Sequence, residues 1–253
     1  MNKVRILTLA LAGVLSLTVA RADDNFASRV VQYDPGLGFA DGYTNAATAL
    51  GAPSAVNPYG EAVDPFNPPY GTAQVVSIGA GGSLTLKFED TISNKKRNPF
   101  GVDFIIFGNA GFIITNDFDF NTFDWIGAPA TDGSLFGPAT GAVRVSVSRD
   151  GRRFHVLDGA PTPDGFAPTD AVGDALQPVD PALTAAALAG ATLADIRAAY
   201  AGSGGGTGFD IASARDARGK RVSLSWIKYV RIEVLDGKIE VDAVSNVRPA
   251  KKD

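Results

Sequence analysis

The chain of 253 residues has no cysteine and a single histidine. Without cysteine, disulfides, thiolate metal sites, thiol nucleophiles and lipid attachment through sulfur are all excluded. With only His155, a multi-histidine zinc centre is excluded, and a Ser-His-Asp triad would need more support than this residue gives. His155 lies between Phe154 and Val156, and alternation turns it outward on a strand. Basic residues are outnumbered, 23 Lys and Arg against 27 Asp and Glu. Such a chain is a poor candidate for binding nucleic acid or anionic lipid through bulk electrostatics. Its one basic run, Lys95-Lys96-Arg97, sits between Ser93-Asn94 and Asn98-Pro99 and reads as a solvated turn.

Long apolar runs are scarce as well. The exception comes first: Lys3 and Arg5 precede an apolar stretch from Ile6 to Ala20, and Ala20-Arg21-Ala22 is a small-x-small cleavage site. This is the pattern of an export signal over residues 1–22, leaving 23–253 as one mature domain. The leader carries off Lys3, Arg5 and Arg21 and no acid, which makes the mature chain more acidic still. No later stretch is long and apolar enough to cross a bilayer, so no membrane span is expected after cleavage. The chain is long enough to bury a core without disulfides.

What is present in quantity is alternation. Val143, Val145 and Val147 point one way, while Arg144, Ser146 and Ser148 point the other. Asp150-Gly151 supplies a hairpin turn, after which Phe154 and Val156 resume the inward face. Near the end, Val230, Ile232 and Val234 alternate with Arg231 and Glu233 before a second turn at Asp236-Gly237. Leu84, Leu86 and Phe88 share a face opposite Thr85, Lys87 and Glu89. Val102 to Phe107 is nearly continuous apolar sequence, as in a central strand covered on both faces. With segments at 29–33, 74–78, 112–115 and 239–244, the count reaches eight or nine strands. The expected fold class is all-β: an antiparallel two-sheet jelly-roll sandwich with a long loop and short-helix insertion.

That insertion, about 158–208, is rich in Ala, Pro, Asp and Gly. Asp180-Pro181 starts a helix that Gly190 would stop. Thr192, with Asp195 three residues on, caps a second one. The glycine run 202–208 fits no phosphate-loop pattern, because it follows a helix and precedes Phe209-Asp210-Ile211. It reads as a flexible or tight connector.

Oxygen ligands are the only metal chemistry left, which points to calcium. Asp117, Asp119, Asn121 and Asp124 form the best oxygen cluster. It departs from an EF-hand, with Thr122 and Ala128 where Gly and Glu belong. In the other reading of this segment, Phe118, Phe120 and Phe123 enter the core and the acids stay in water. Asp210 and Asp242 are weaker acidic candidates. Aromatics in the long loops, Tyr59, Phe66, Tyr70, Phe123 and Trp125, are placed to stack on sugar rings, with Tyr70 and Trp125 the chosen ligand-binding pair. No carboxylate pair is singled out for glycosidic cleavage.

Several ordered segments resemble a group of exported bacterial and archaeal surface proteins of the PEP-CTERM-associated type. They are residues 46–53, 76–79 with 82–88, Gly101 to Asn109, Val143 to Gly151, Gly208 to Ala212, Tyr229 to Ile232 and Asp242 to Val244. The strand pattern is also similar to galactose-binding-like and discoidin-like jelly rolls. That resemblance implies binding of sugars, proteins or lipid head groups, often with a structural calcium. The chain departs from the sorted type at Val247 to Asp253, which has no apolar helix and no Pro-Glu-Pro signal. The expectation is an exported, non-catalytic module of periplasm, cell surface or medium whose partner is a glycan or another envelope component. A polysaccharide-active glycoside hydrolase or lyase and a purely structural envelope protein are the alternatives.

Overall fold

Alternating side chains become two facing sheets in the computed structural model, which describes residues 24–137, 142–158 and 166–249. The expected leader, 1–22, lies outside these residues. In chain order the strands begin with β1 (Ala27–Asp34), β2 (Val76–Gly79), β3 (Ser83–Ser93), β4 (Phe104–Gly108) and β5 (Gly111–Ile114). Next come β6 (Phe118–Asp119), β7 (Asp124–Trp125), β8 (Thr131–Phe136), β9 (Val143–Ser148) and β10 (His155–Leu157). The last four are β11 (Thr207–Phe209), β12 (Ala214–Arg215), β13 (Trp226–Val234) and β14 (Lys238–Asn246). One α-helix, α1 (Leu193–Tyr200), interrupts them.

The chain is all-β. A six-stranded sheet runs β1-β3-β13-β9-β10-β12, and a four-stranded sheet runs β11-β4-β14-β2, every pair antiparallel. One core joins them. Leu84, Leu86 and Phe88 of β3, Val145 and Val147 of β9, and Val230 and Ile232 of β13 pack with Ile78 of β2, Phe104 and Ile106 of β4, and Val241 and Val244 of β14. Each such buried side chain contributes about 1.5–3 kcal/mol relative to exposure. The near-continuous apolar run is explained by β4, an interior strand. Phe104 and Ile106 enter the shared core, while Ile105 and Phe107 face a second cluster with Val102, Ala243 and Val247, covered by Ala175.

Three sequence expectations change. The turn at Asp236-Gly237 does not close a hairpin within one sheet. It carries the chain from β13 in the larger sheet to β14 in the smaller one. The turn at Asp150-Gly151 does join paired strands, but β10 enters with inverted facing. His155 stands opposite the core residue Val147, and Val156 opposite Ser146. Antiparallel partners share a face, so His155 points to the core side and Val156 to solvent. Finally, the helix expected between Pro181 and Gly190 is only a 3-10 turn, Ala185–Leu188. A segment this short has no helical stability of its own. It lies close against β8, where a Cβ on Gly133 would stand 2.6 Å from the Ala185 carbonyl oxygen.

The second helix forms as expected. The Thr192 hydroxyl accepts from the Asp195 N–H, and the Asp195 carboxylate accepts from the Thr192 N–H at 3.0 Å. Behind it, Ile196 and Tyr200 form a satellite core with Phe112 and Leu188, packed on by Phe66 and Leu135. The glycine run is a tight connector. At Gly205, φ is +80° and an added Cβ would overlap the Pro168 carbonyl oxygen. One edge strand of the larger sheet, β1, is broken by two register shifts, between Ala27 and Arg29 and between Val30 and Gln32. Such irregularity blunts an edge against pairing with other chains.

Substituting Ile232→Ala at the fully buried centre is expected to cost about 2–5 kcal/mol in denaturant unfolding. Leu37→Ala, at 78% exposure, is expected to stay within about 0.5 kcal/mol. Equal losses at the two positions would contradict the core assignment.

Candidate functional site

Between β5 and β8 the chain leaves the sandwich as a small ribbon, β6 paired with β7, whose partners are Phe118 with Trp125 and Asp119 with Asp124. Asn116 straps its base. Its amide donates to the carbonyls of Ile126 and Ala128 at 3.1 Å each, and its Oδ1 accepts from Ala130 N–H at 2.7 Å. β5 pairs with β8 below it, placing Phe112 opposite Leu135 in the satellite core.

Aromatic rings dominate the ribbon. Phe118 is the hub, edge-on to Trp125 at 5.1 Å, to Phe120 at 5.2 Å and to Phe123 at 6.2 Å between ring centroids. Phe120 and Phe123 are 77% and 80% exposed, and Ile126 61%. The reading that sends Phe118, Phe120 and Phe123 into the core therefore fails for the last two. Phe123 also has φ +56°, an unusual conformation for a bulky residue and a mark of local strain. Together these side chains leave a cluster of apolar surface open on one short ribbon.

The four oxygen candidates share this ribbon. Asp119 Oδ1 accepts from the Asn121 N–H at 2.8 Å and from its amide at 3.0 Å. The backbone bond from Asn121 is the largest cause holding the Asp119 carboxyl below its ordinary range. Asp124 Oδ1 accepts from the Trp125 N–H at 2.8 Å. Asp117 is exposed, and its carbonyl accepts from the Ile126 N–H. Among the described residues no three His, Asp or Glu side chains converge on one point. What the fold brings together is Asp119 with Asn121 beside it and Asp124 across the ladder.

Tyr70 belongs to a second aromatic group. Its ring lies 6.1 Å from that of Tyr59, and its carbonyl accepts from the Tyr43 hydroxyl at 2.7 Å. Tyr59 is 81% exposed. Buried Asn57 holds this loop, accepting from the N–H groups of Tyr59 and Glu61 and donating to Glu61 and Asn67. Phe66 is drawn away into the satellite core, edge-on to Phe112 at 6.4 Å. No family model matches the chain, and no curated protein matches it in sequence.

The buried acids do structural work. Asp242, 1% exposed, accepts from both the N–H and the hydroxyl of Ser54 at 2.8 Å. Desolvation pushes its carboxyl from 3.8 up to about 7. Asp103 accepts from Ile211 N–H, Lys95 N–H and the Asn98 amide, yet burial still raises it to about 6. Glu240 is raised by burial and receives the Asn109 amide. Sequence reasoning noted Asp242 but not its burial, since one acid among Val241 and Ala243 gives no sign of what covers it.

These acids set the pH response. Asp103 and Asp242 hold their protons more tightly folded than unfolded, so their stabilising contribution is complete below their ordinary value of 3.8 and is lost as pH rises through about 6 and 7. The melting temperature is expected to rise between pH 8 and pH 5, and Asp242→Asn to flatten that rise. Scanning calorimetry across the range checks this; a melting temperature that falls toward pH 5 would overturn it.

Proposed function

We propose that this is an exported, non-catalytic β-sandwich that binds carbohydrate of the cell envelope. One observation carries the reading: the aromatic group on the β6–β7 ribbon, half-buried Phe118 and Trp125 beside exposed Phe120 and Phe123, with oxygens of Asp119, Asn121 and Asp124 alongside. A sugar ring offers an apolar face for stacking and a rim of hydroxyls for hydrogen bonds, and such a surface suits both. Tyr59 and Tyr70 give a second platform of the same kind. The resemblance to exported surface proteins and to galactose-binding-like jelly rolls points the same way. So does the leader, which directs the mature chain to periplasm, cell surface or medium. Among the described residues no helix is long and apolar enough to cross a membrane.

Calcium belongs to the proposal as a structural ion on the same ribbon. Like charges directly opposite on paired strands repel, and Asp119 faces Asp124. A cation between them, with Asn121 adding an amide oxygen, relieves that repulsion. A bound ion stabilises the native state, so chelation is expected to lower the melting temperature. An unchanged midpoint with and without chelator removes calcium.

Binding is tested on a glycan array and in pull-downs against envelope polysaccharide. Trp125→Ala is expected to weaken capture by about tenfold or more, as loss of a central aromatic anchor does, and Tyr70→Ala to weaken it less. Silence on every glycan beside measurable turnover of a polysaccharide would make the protein an enzyme. Silence with concentration-dependent self-association would make it a structural envelope component.

A further inference from the structure

Apart from the Lys95-Lys96-Arg97 turn, basic residues also gather where the turn between β9 and β10 meets the loop that follows β12. The turn reads Asp150-Gly151-Arg152-Arg153, and the loop Asp216-Ala217-Arg218-Gly219-Lys220-Arg221. Both are built alike. Asp150 Oδ1 accepts from the N–H groups of Arg152 and Arg153 at 2.9 and 3.0 Å. Asp216 Oδ1 accepts from those of Arg218 and Lys220 at 2.9 Å each. In each segment the acid is therefore engaged by its own backbone, and the cationic side chains are left to solvent. Among the described residues, the guanidinium groups of Arg153 and Arg218 have no hydrogen-bond or ion-pair partner, whereas Arg215 nearby is spent on Asp158.

Between the two loops lies a cleft of about 470 Å³ lined by Arg153, Phe154, His155, Asp216, Arg218 and Val222. Phe154 and Val222 supply apolar wall. The guanidinium of Arg231 stands 3.8 Å over the Phe154 ring and adds a third cation behind that wall. His155, turned to the core side by its register, has Nδ1 buried without a partner. The same residue lines the cleft. One carboxylate, Asp216, also lines the space, with one oxygen held by the loop.

We propose that this cleft binds an oxyanion group, carboxylate or sulfate, borne on a sugar ring of an acidic polysaccharide. Unpartnered guanidinium groups recognise such oxygens in a planar fork. Phe154 and Val222 take the apolar ring face, and the free oxygen of Asp216 accepts from a hydroxyl. A volume of this size suits one small organic ligand. The site shares no residue with the aromatic ribbon and stands or falls independently of it.

Calorimetric titration at about 0.15 M salt, where long-range attraction is screened, tests the proposal with oligogalacturonate, sulfated dextran and unmodified dextran. The wild-type chain is expected to bind one or both anionic probes and not to bind neutral dextran through this cleft; which anion binds identifies the group. Arg153→Ala with Arg218→Ala is expected to weaken that binding at least about tenfold, the effect of one lost charged hydrogen bond, while Leu37→Ala, exposed and outside both sites, leaves it unchanged. Because His155 is the chain's only histidine, its imidazole resonances are unambiguous, and they are expected to shift on adding the anionic probe to the wild-type protein. No binding of either anion, equal binding by the double variant, or an unmoved histidine signal would each overturn the proposal. Neutral-glycan capture that depends on Trp125 would survive all three results.

Discussion

Two strands that follow each other in the chain form opposite walls of the core. β13 is an inner strand of the larger sheet and β14 an inner strand of the smaller. Only Leu235, Asp236 and Gly237 separate them. Gly237 turns at φ +67°, and the Asp236 carboxylate accepts from its N–H at 2.9 Å. Val230 and Ile232 thereby meet Val241 and Val244 in one interior. Everything else is added to this arch: β3 and β9 flank one side of it, and β4 and β2 the other. Fixing two sheets in register this way leaves the loops free of any duty to hold the layers together.

That freedom shows in what the loops carry. The β6–β7 ribbon stands on a satellite core with apolar rings in the open, and the Asp150 and Asp216 loops present arginines without partners. Both are polar-rich segments whose short side chains close local turns by accepting backbone N–H groups. Local closure of this kind needs no tertiary contact, so the larger residues beside it are left available. The acids that are truly enclosed, Asp103, Glu240 and Asp242, instead meet donors from distant parts of the chain and hold the layers' outer coverings in place.

How much of this could be read beforehand follows from the range of the forces involved. Facing within a strand is a local property, so β3, β9 and β13 were legible from their alternation, and so was double coverage of β4 from its unbroken apolar run. The capped helix at Thr192 was legible for the same reason, its signal lying within four residues. Partners are not local. The turn at Asp236-Gly237 looks like a hairpin because pattern says which way Val234 points and nothing about which sheet Lys238 joins. His155 was misfaced because the alternation of Phe154 and Val156 was counted across a turn whose length resets it. The strands β6, β7, β11 and β12 are two or three residues long and exist only because a neighbour pairs with them. At the candidate site, Trp125 and the acids around it were recognisable by type. The exposure of Phe120 and Phe123 was not, since an aromatic in a loop has the same sequence whether it packs or protrudes. The cleft at His155 had no signal at all, being assembled from segments some sixty residues apart.

The placement of the arch also bears on how the chain reaches its final form. The sheet neighbours of β13 and β14 come from residues 76–148, whereas the two strands themselves span 226–246. Neither layer can close until residues 226–246 have been delivered, and contacts of such wide separation form slowly. During synthesis the early strands must wait with their backbone groups and valines uncovered. Until the last segment is in place, those uncovered strands are the part of the chain most open to pairing with other copies.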